Sequence, residues 1–457
     1  MHLTGDQPEI RSPEAPITSY EPLNEPLPAR ADGDVRTRSA RSSVALILGA
    51  TVVSGLSGYV VTWRVFTASG AAGYAVFSVF WSALFLVVGV LFGVQQEATR
   101  AVAQSAPLAE HGDRSGHRSS LWLFAAVLAV LVAVAVLLTA LLWAVPALGR
   151  EQAGLSIFVA AGAGLNCLVA AGSGVMAGSG MWRQLAGVVA LDGILRVAFV
   201  LLALALTTQS WVLALAVILP FPLALGAVIL TAPRALLRRA LVPERMRTLA
   251  SNTLRTMIAA SATAVLINGF PLMLSFFANP SGHRELGSLV LGVTLTRAPI
   301  LVPLMALSSF LVSQFARMPQ GASRLALRLS ALIAAVVAVL CLCAWAFGVP
   351  VVVAVFGGQF DLDAGTLTAL VASSGMIGVL CVTGAAVLAR NLHGGYAIGW
   401  VAASVVTIAL LFLPLPLQPR AALALAAGPA VGIAVHLWWL RSRSTRGARV
   451  VTEAAPR

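Results

Sequence analysis

Charged side chains inside the long apolar segments of this chain are few, and each needs a chemical explanation. Arg297 lies in the apolar run 287–312, about 15 Å from its start at about 1.5 Å per helical residue. Pro299 and Pro303 follow it and are expected to bend the helix beside the guanidinium. Since an arginine at the centre of a bilayer costs at least about 2.5 kcal/mol, Arg297 is expected either to have a functional role in a cavity or to pair with an acid for packing.

Two opposite charges share the apolar run 185–206. Asp192 and Arg196 are spaced i to i+4 with the acid first, so both lie on one face of the predicted helix and can neutralise each other. They are expected to form an internal ion pair or to line a water-filled cavity, and the two roles are compatible.

Four further residues are candidates for substrate contact or gating. Asn268 lies within the run 256–277, where helix–helix hydrogen bonding and substrate contact are both open. The Gly and Pro that follow it predict a break in that helix. Glu97 and Arg100 close the second apolar segment as interfacial anchors or as gate residues, and Arg64 follows a Trp at the outer end of the first.

The composition fixes the class of protein that must position these side chains. Of the 457 residues 59% are hydrophobic and only 10% are charged, against about 25% charged in a soluble domain. Apolar runs long enough to cross about 30 Å of hydrocarbon as helices recur throughout. The sequence therefore predicts an all-α membrane protein of about twelve transmembrane helices. They are predicted at 43–66, 71–94, 120–145, 153–175, 185–206, 211–231, 256–277, 287–312, 329–348, 365–389, 395–415 and 421–440.

The arginines indicate an orientation. The chain has no lysine, and 24 of its 30 arginines fall in the segments that are cytoplasmic if the N-terminus is inside, against four at the outer ends. This is the positive-inside bias, so both termini are predicted to be cytoplasmic. Because the arginines alternate with apolar segments, the net charge of +13 indicates topology and anionic lipids rather than nucleic acid.

The longest internal connection divides the predicted helices into six and six, which suggests two lobes related by an axis along the membrane normal. The predicted organisation has five parts: a disordered cytoplasmic tail at 1–42, an N-terminal six-helix lobe at 43–231, a basic cytoplasmic linker at 232–255, a C-terminal six-helix lobe at 256–440 and a basic tail at 441–457.

Several functions are disfavoured by what the sequence lacks. It has no G-x-x-x-x-G-K-[ST] loop for ATP, and its C-x-C motif has no second pair of metal ligands nearby. The longest predicted external connection, 349–364, is short and mostly apolar, unlike the large external loops that carry catalytic groups in membrane glycosyltransferases. We therefore expect no enzyme activity, no cofactor and no metal.

Three segments resemble the polysaccharide flippases of the multidrug/oligosaccharidyl-lipid/polysaccharide exporter superfamily. "GYAVFSVFWSALFLVVGVLFGVQQEATRAVAQ" is similar to their second span, "LTRAPILVPLMALSSFLVSQFARM" to their eighth with its Arg-x-Pro, and "AGSGMWRQLAGVVALDGILRVAFVLLAL" to the turn into their fifth. The resemblance covers most of residues 43–440 and includes the division into six and six helices.

This resemblance implies two six-helix lobes around a cavity that opens alternately to each face of a bacterial inner membrane. It implies a polyprenyl-diphosphate-linked saccharide as cargo, with glycosyltransferases or a polymerase of the same pathway as further partners. Arg297 matches the eighth-span arginine expected to attract the diphosphate, and Arg64 matches the first-span arginine less well. Two alternatives stay open: a cation-coupled multidrug antiporter, for which Asp192 is the only deep acid, and a non-transporting scaffold for envelope assembly.

Overall fold

The computed structural model describes residues 31–110, 119–279, 282–317, 322–358 and 360–453, and the packing below concerns residues 45–453. This part of the chain is helical nearly throughout, because a backbone in hydrocarbon must satisfy its own hydrogen bonds. The helices of the first half are α1 (Ala31–Glu110), α2 (Leu121–Leu148), α3 (Leu155–Gly178), α4 (Trp182–Leu206), α5 (Ser210–Ile218), α6 (Pro220–Thr231) and α7 (Pro233–Arg239). Those of the second half are α8 (Met246–Ile267), α9 (Phe270–Ser275), α10 (His283–Arg317), α11 (Ala322–Cys343), a π-helical turn (Ala344–Gly348), α12 (Val349–Phe356), α13 (Ala364–Ala389), α14 (His393–Leu410) and α15 (Leu417–Glu453).

The number of spans agrees with the sequence. Among the described residues, nine segments are long and apolar enough to cross a membrane. The first of them, Ala45–Ser105, supplies two spans because α1 bends at Gly70, whose φ of 70° is open to glycine at little cost. The pair α8 and α9, and the helix α10, are two further segments with more polar residues. The prediction of an all-α membrane protein with about twelve spans is confirmed.

Both ends of the described chain are helical beyond the predicted spans. The first helix begins at Ala31, inside the predicted tail 1–42, and the last continues to Glu453, inside the predicted tail 441–457. Hydropathy locates only the apolar part of a helix, whereas arginine-rich flanks are good helix formers and continue it. Residues 1–30 and 454–457 lie outside the described part.

Two internal boundaries also differ from the prediction, one in a polar flank and one in an apolar segment. The seventh span begins at Met246 rather than at 256, so part of the predicted linker belongs to α8. The ninth span continues through the π-helical turn and α12 to Phe356, so much of the predicted external connection 349–364 is helical. The predicted break within the seventh span is confirmed, since α8 ends at Ile267 and α9 begins at Phe270.

The linker between the halves is attached to the first half by a small antiparallel ribbon. The strand β1 (Ser119–Ser120) pairs with β2 (Leu241–Val242), and the Leu121 N–H donates to the Ala240 carbonyl at 2.9 Å. The segment between α6 and α8, which contains α7 and β2, is therefore ordered and lies at the N-terminal end of α2.

Apolar side chains of the two halves share their largest buried cluster at one end of the helices, and at the other end α8 also packs on the first half. At the predicted outer end a single cluster contains Phe66 and Phe80 from the first half with Leu289 and Leu370 from the second. At the predicted inner end one cluster draws its buried members from residues 98–249. A separate one draws them from residues 311–440.

Direct contacts close the predicted outer end. The rings of Phe66 and Phe356 meet edge to face with centroids 5.6 Å apart. Gly287 of α10 packs so closely on the Ala71 carbonyl oxygen that a Cβ at Gly287 would overlap it. Glycine is required at this position because any side chain would force α1 and α10 apart.

Candidate functional site

Arg297 is buried where the seventh span is broken. It lies on α10 with 7% of its surface exposed. Its Nη1–H donates to the Ile267 carbonyl at 2.9 Å, and its Cζ lies 5.7 Å from the centre of the Phe270 ring. Ile267 ends α8, so its carbonyl lacks a helical partner and carries the partial negative charge of a helix C-terminus, which favours a cation.

The other end of the same guanidinium is not satisfied. Arg297 Nη2 is buried and has no hydrogen-bond partner among the described residues. Tyr59 of α1 is the titratable group in electrostatic contact with Arg297. A buried donor without an acceptor is costly, so this N–H group is suited to donate a hydrogen bond to a ligand oxygen.

A serine from the opposite half forms hydrogen bonds with the backbone at the break. Ser82 of α1, 2% exposed, donates its Oγ–H to the Asn268 carbonyl at 2.5 Å and accepts from the Leu272 N–H at 3.0 Å. The backbone of Asn268 is therefore held by α1, and its side-chain nitrogen lies beside Gly89. Side chains from both halves, Ser82 and Arg297, bind two successive carbonyls of the break.

The sequence does not single out Tyr59, Ser82 or Phe270 as members of this site. Serine and phenylalanine are frequent in apolar helices, so neither residue type carries a signal by itself. Tyrosine is rarer, with four in the chain, and a tyrosine inside the first span is the one available hint.

Asp192 and Arg196 form an ion pair inside the first half. Arg196 Nη2 donates to both carboxylate oxygens at 2.7 and 2.6 Å, and the two side chains are 6% and 16% exposed. The Arg196 Cζ lies 5.2–5.8 Å from three ring centres, those of Trp81, Phe85 and Phe221. The pair is neutral and covered by aromatic rings, and Arg196 Nε is buried with no partner in the described part of the chain.

Glu97 and Arg100 connect the second span to the linker. Arg100 donates from Nε and Nη2 to the two oxygens of Glu97, which is 2% exposed, and from Nη2 to Glu244 at 2.8 and 3.0 Å. Glu244 follows β2, so the arginine attaches the linker to the end of α1. This arrangement suits a structural attachment at the predicted cytoplasmic face.

Arg64 lies apart from Arg297 and from the Asp192–Arg196 pair. It is exposed on α1, and its Cζ lies 5.7 Å from the ring centre of its neighbour Trp63, itself 41% exposed. An aromatic residue with an adjacent arginine is typical of a membrane–water interface. Among the described residues no group of three or more His, Cys, Asp or Glu side chains could hold a metal ion.

A relative at the sequence level decides the family. Over 402 residues the chain is 32% identical to the "Uncharacterized protein Mb3654" of Mycobacterium bovis, an alignment that covers 87% of this chain and 92% of that protein. The chain belongs to the same family as this mycobacterial protein. This relative is bacterial, and no family model matches the chain.

Solved structures identify the fold of this mycobacterial family. An inward-facing multidrug resistance MATE family transporter of the MOP superfamily superimposes with a TM-score of 0.68 at 14% identity, over 90% of this chain and 100% of that one. The lipid II flippase MurJ in an inward closed conformation gives a TM-score of 0.59 at 13% identity, over 89% and 87%. The chain therefore has the two-lobed fold of MOP superfamily transporters, and the proteins that share it here are a transporter and a flippase rather than enzymes.

Proposed function

We propose that the protein is a flippase that moves a polyprenyl-diphosphate-linked saccharide to the outer leaflet of a bacterial plasma membrane by alternating access. The observation that carries this proposal is the buried Nη2 of Arg297, which has no partner among the described residues, on a guanidinium bonded to the Ile267 carbonyl beside the break that Ser82 of the first half contacts. The lobes in this proposal are residues 43–231 and 256–440, joined by the linker 232–255.

A diphosphate suits the chemistry of this arginine. Guanidinium groups bind phosphate oxygens through paired, charge-assisted hydrogen bonds. The Nη2–H can donate to a first phosphate oxygen without breaking any existing bond. The Nη1–H can donate to a second phosphate oxygen if it leaves the Ile267 carbonyl. Resemblance of the fold to a structure named as a lipid II flippase supports a lipid-linked cargo.

The distribution of buried clusters supports an alternating mechanism. The halves share their largest apolar cluster at the predicted outer end, whereas at the predicted inner end α8 joins the cluster of the first half and residues 311–440 form a separate one. In this proposal the described conformation is closed towards the outside, and the head group of the cargo enters from the cytoplasmic side.

The break after α8 provides a way for binding to affect conformation. Arg297 and Ser82 hold its two carbonyls, of Ile267 and Asn268, from opposite lobes. When a phosphate draws the guanidinium away, the Ile267 carbonyl loses its donor and the break is restrained by Ser82 alone. The Arg297–Ile267 bond lies within the C-terminal lobe, whereas Ser82 makes the contact across the lobes. Phosphate binding therefore changes the break at which the two lobes meet, and a conformational shift requires such a differential contact.

The alternatives are less well supported by the same contacts. A cation-coupled antiporter needs an acid that is free to bind its coupling ion, and the carboxylate of Asp192 already accepts two hydrogen bonds from Arg196. A scaffold for envelope assembly does not need an arginine whose buried N–H lacks an acceptor. An arginine inside a membrane is costly, so its presence is better explained by ligand binding.

The test is lipid flipping in proteoliposomes with a fluorescent polyprenyl-diphosphate disaccharide. Arg297→Gln is expected to reduce the initial rate at least about tenfold, the loss expected when one charge-assisted interaction of about 1.5–3 kcal/mol is removed. Arg284→Gln changes an exposed arginine on the same helix and is expected to leave the rate unchanged. Equal, measurable rates for Arg297→Gln and the native protein, with equal incorporation into vesicles, would refute the diphosphate role. No flipping by the native protein above protein-free vesicles would favour the scaffold. A strict requirement for a Na⁺ or H⁺ gradient with drug transport would favour the antiporter.

A further inference from the structure

A polar cleft lies away from Arg297, at the predicted outer end of the first half. Its volume is about 590 Å³, and it is formed where α2 leads into α3 and α4 leads into α5. The residues that line it are Glu151, Gln152, Gly154, Leu155, Phe158, Thr208, Gln209, Ser210 and Trp211. A cleft of this size accommodates a ligand of one or two sugar rings.

An aromatic ring in this cleft is held in a fixed orientation. Trp211 is 53% exposed, and its Nε1–H donates to the Gln209 side-chain oxygen at 2.8 Å. The Gln209 backbone is itself fixed, because its N–H donates to the Thr207 hydroxyl at 3.2 Å. An exposed indole whose polar edge is already satisfied presents its apolar face to a ligand without further ordering cost.

The lining matches the chemistry of a carbohydrate. One face of a pyranose carries C–H groups that pack on an aromatic ring, and its rim carries hydroxyl groups that need both donors and acceptors. Trp211 supplies the ring, Gln152 supplies an amide, Ser210 supplies a hydroxyl and Glu151 supplies acceptor oxygens.

We propose that this cleft binds the saccharide of the transported lipid at the outer face, as a site separate from the diphosphate site at Arg297. This inference rests on the proposed function for its choice of ligand. The carboxylate of Glu151 gives the cleft a preference, since it accepts from neutral or amino sugars and repels the carboxylate of a uronic acid.

An interfacial anchor is the competing role for Trp211, because tryptophan is enriched at membrane boundaries. The chain contains a matched control for that role. Trp63 is 41% exposed at the same predicted end of the helices, and it is not among the residues that line the cleft.

The experiment is saturation-transfer-difference NMR on the full chain in nanodiscs, with chitobiose, maltose and a diglucuronide as probes. The expected result is binding of chitobiose or maltose with a dissociation constant on the order of 1 mM, and at least about tenfold weaker binding of the diglucuronide. Trp211→Ala is expected to weaken binding at least about tenfold. Trp63→Ala is expected to leave the affinity for the saccharides unchanged. Glu151→Gln is expected to reduce the difference in affinity between the neutral probes and the acidic diglucuronide.

Two outcomes overturn the proposal: no binding of any probe at 20-fold the expected constant (about 20 mM), or equal binding by Trp211→Ala and the native chain. The thermal midpoint of each variant, measured in the same nanodiscs, separates loss of binding from loss of fold. Failure here is distinguishable from failure of the proposed function. Saccharide binding that persists while Arg297→Gln flips lipid at the native rate refutes the diphosphate site alone, and the reverse pattern refutes the cleft alone.

Discussion

Removing one member of the Asp192–Arg196 pair should cost far more than removing both. Asp192→Leu leaves the guanidinium of Arg196 buried, charged and without its counter-ion. Arginine does not lose its proton in proteins, so the full penalty of about 3 kcal/mol for an unpaired buried charge applies. The three rings contact Arg196 in the native protein and in this variant alike, so they do not reduce the difference in stability.

Arg196→Met should cost less than Asp192→Leu, because the remaining carboxyl can take up a proton and become neutral. The double variant removes both charges and keeps the volume, so its stability should lie within about 1 kcal/mol of the native value. The coupling free energy between the two sites should then be about 2–3 kcal/mol.

The measurement is equilibrium unfolding in mixed micelles, followed by far-ultraviolet circular dichroism as the mole fraction of SDS is raised. Arg183→Met removes an exposed arginine from the same helix, and its effect should be below about 0.5 kcal/mol. Additive effects of the two single changes at Asp192 and Arg196 would show that the pair has no energetic coupling and would refute the reasoning. A stable double variant that no longer transports would indicate that the pair also lines the cavity.

Three shorter predictions use the same unfolding assay. Gly287→Leu should destabilise the chain by about 1–3 kcal/mol by forcing α1 and α10 apart, whereas Gly226→Leu, which faces open space, should not destabilise it; equal effects would contradict the close approach. Arg100→Ala should cost about 3 kcal/mol because it leaves the buried carboxylate of Glu97 unpaired, and a cost below 1 kcal/mol (about the value of a surface pair) would contradict it. Asp363 caps α13, and hydrogen bonds from the Thr366 backbone N–H and hydroxyl lower its pKa. Its contribution to stability is therefore present above the unfolded pKa of about 3.9 and is lost as pH falls through the lower folded pKa. Asp363→Ala should remove about 1 kcal/mol at neutral pH, and its effect should shrink as pH falls below the unfolded pKa.

The spans could be predicted from the sequence because each follows from counting along one helix, and the depth of Arg297 within its span stays a prediction of the same kind. Apolar length locates a span, and a rise of about 1.5 Å per residue places a side chain within it. The same reasoning identified the break after α8, since Gly269 and Pro271 interrupt the helix locally. The extents of α1, α8 and α15 were underestimated, because polar turns outside the hydrocarbon carry no hydropathy signal.

The partners of Arg297 could not be predicted because they depend on the register between helices. That Ser82 reaches the break, and that Ile267 supplies the carbonyl, follows from how α1, α8 and α10 pack. The three rings around Arg196 come from two other helices, so no local pattern connects them to it. The cleft around Trp211 joins two separate turns for the same reason.

Binding of a short polyprenyl diphosphate tests the central claim most directly. The full chain in nanodiscs would be titrated with farnesyl diphosphate and farnesyl monophosphate, and Arg297→Gln compared with the native protein and with Arg284→Gln. The account predicts that Arg297→Gln weakens diphosphate binding at least about tenfold and reduces the preference over monophosphate, while Arg284→Gln changes neither. Unchanged diphosphate affinity in a folded Arg297→Gln protein would contradict it.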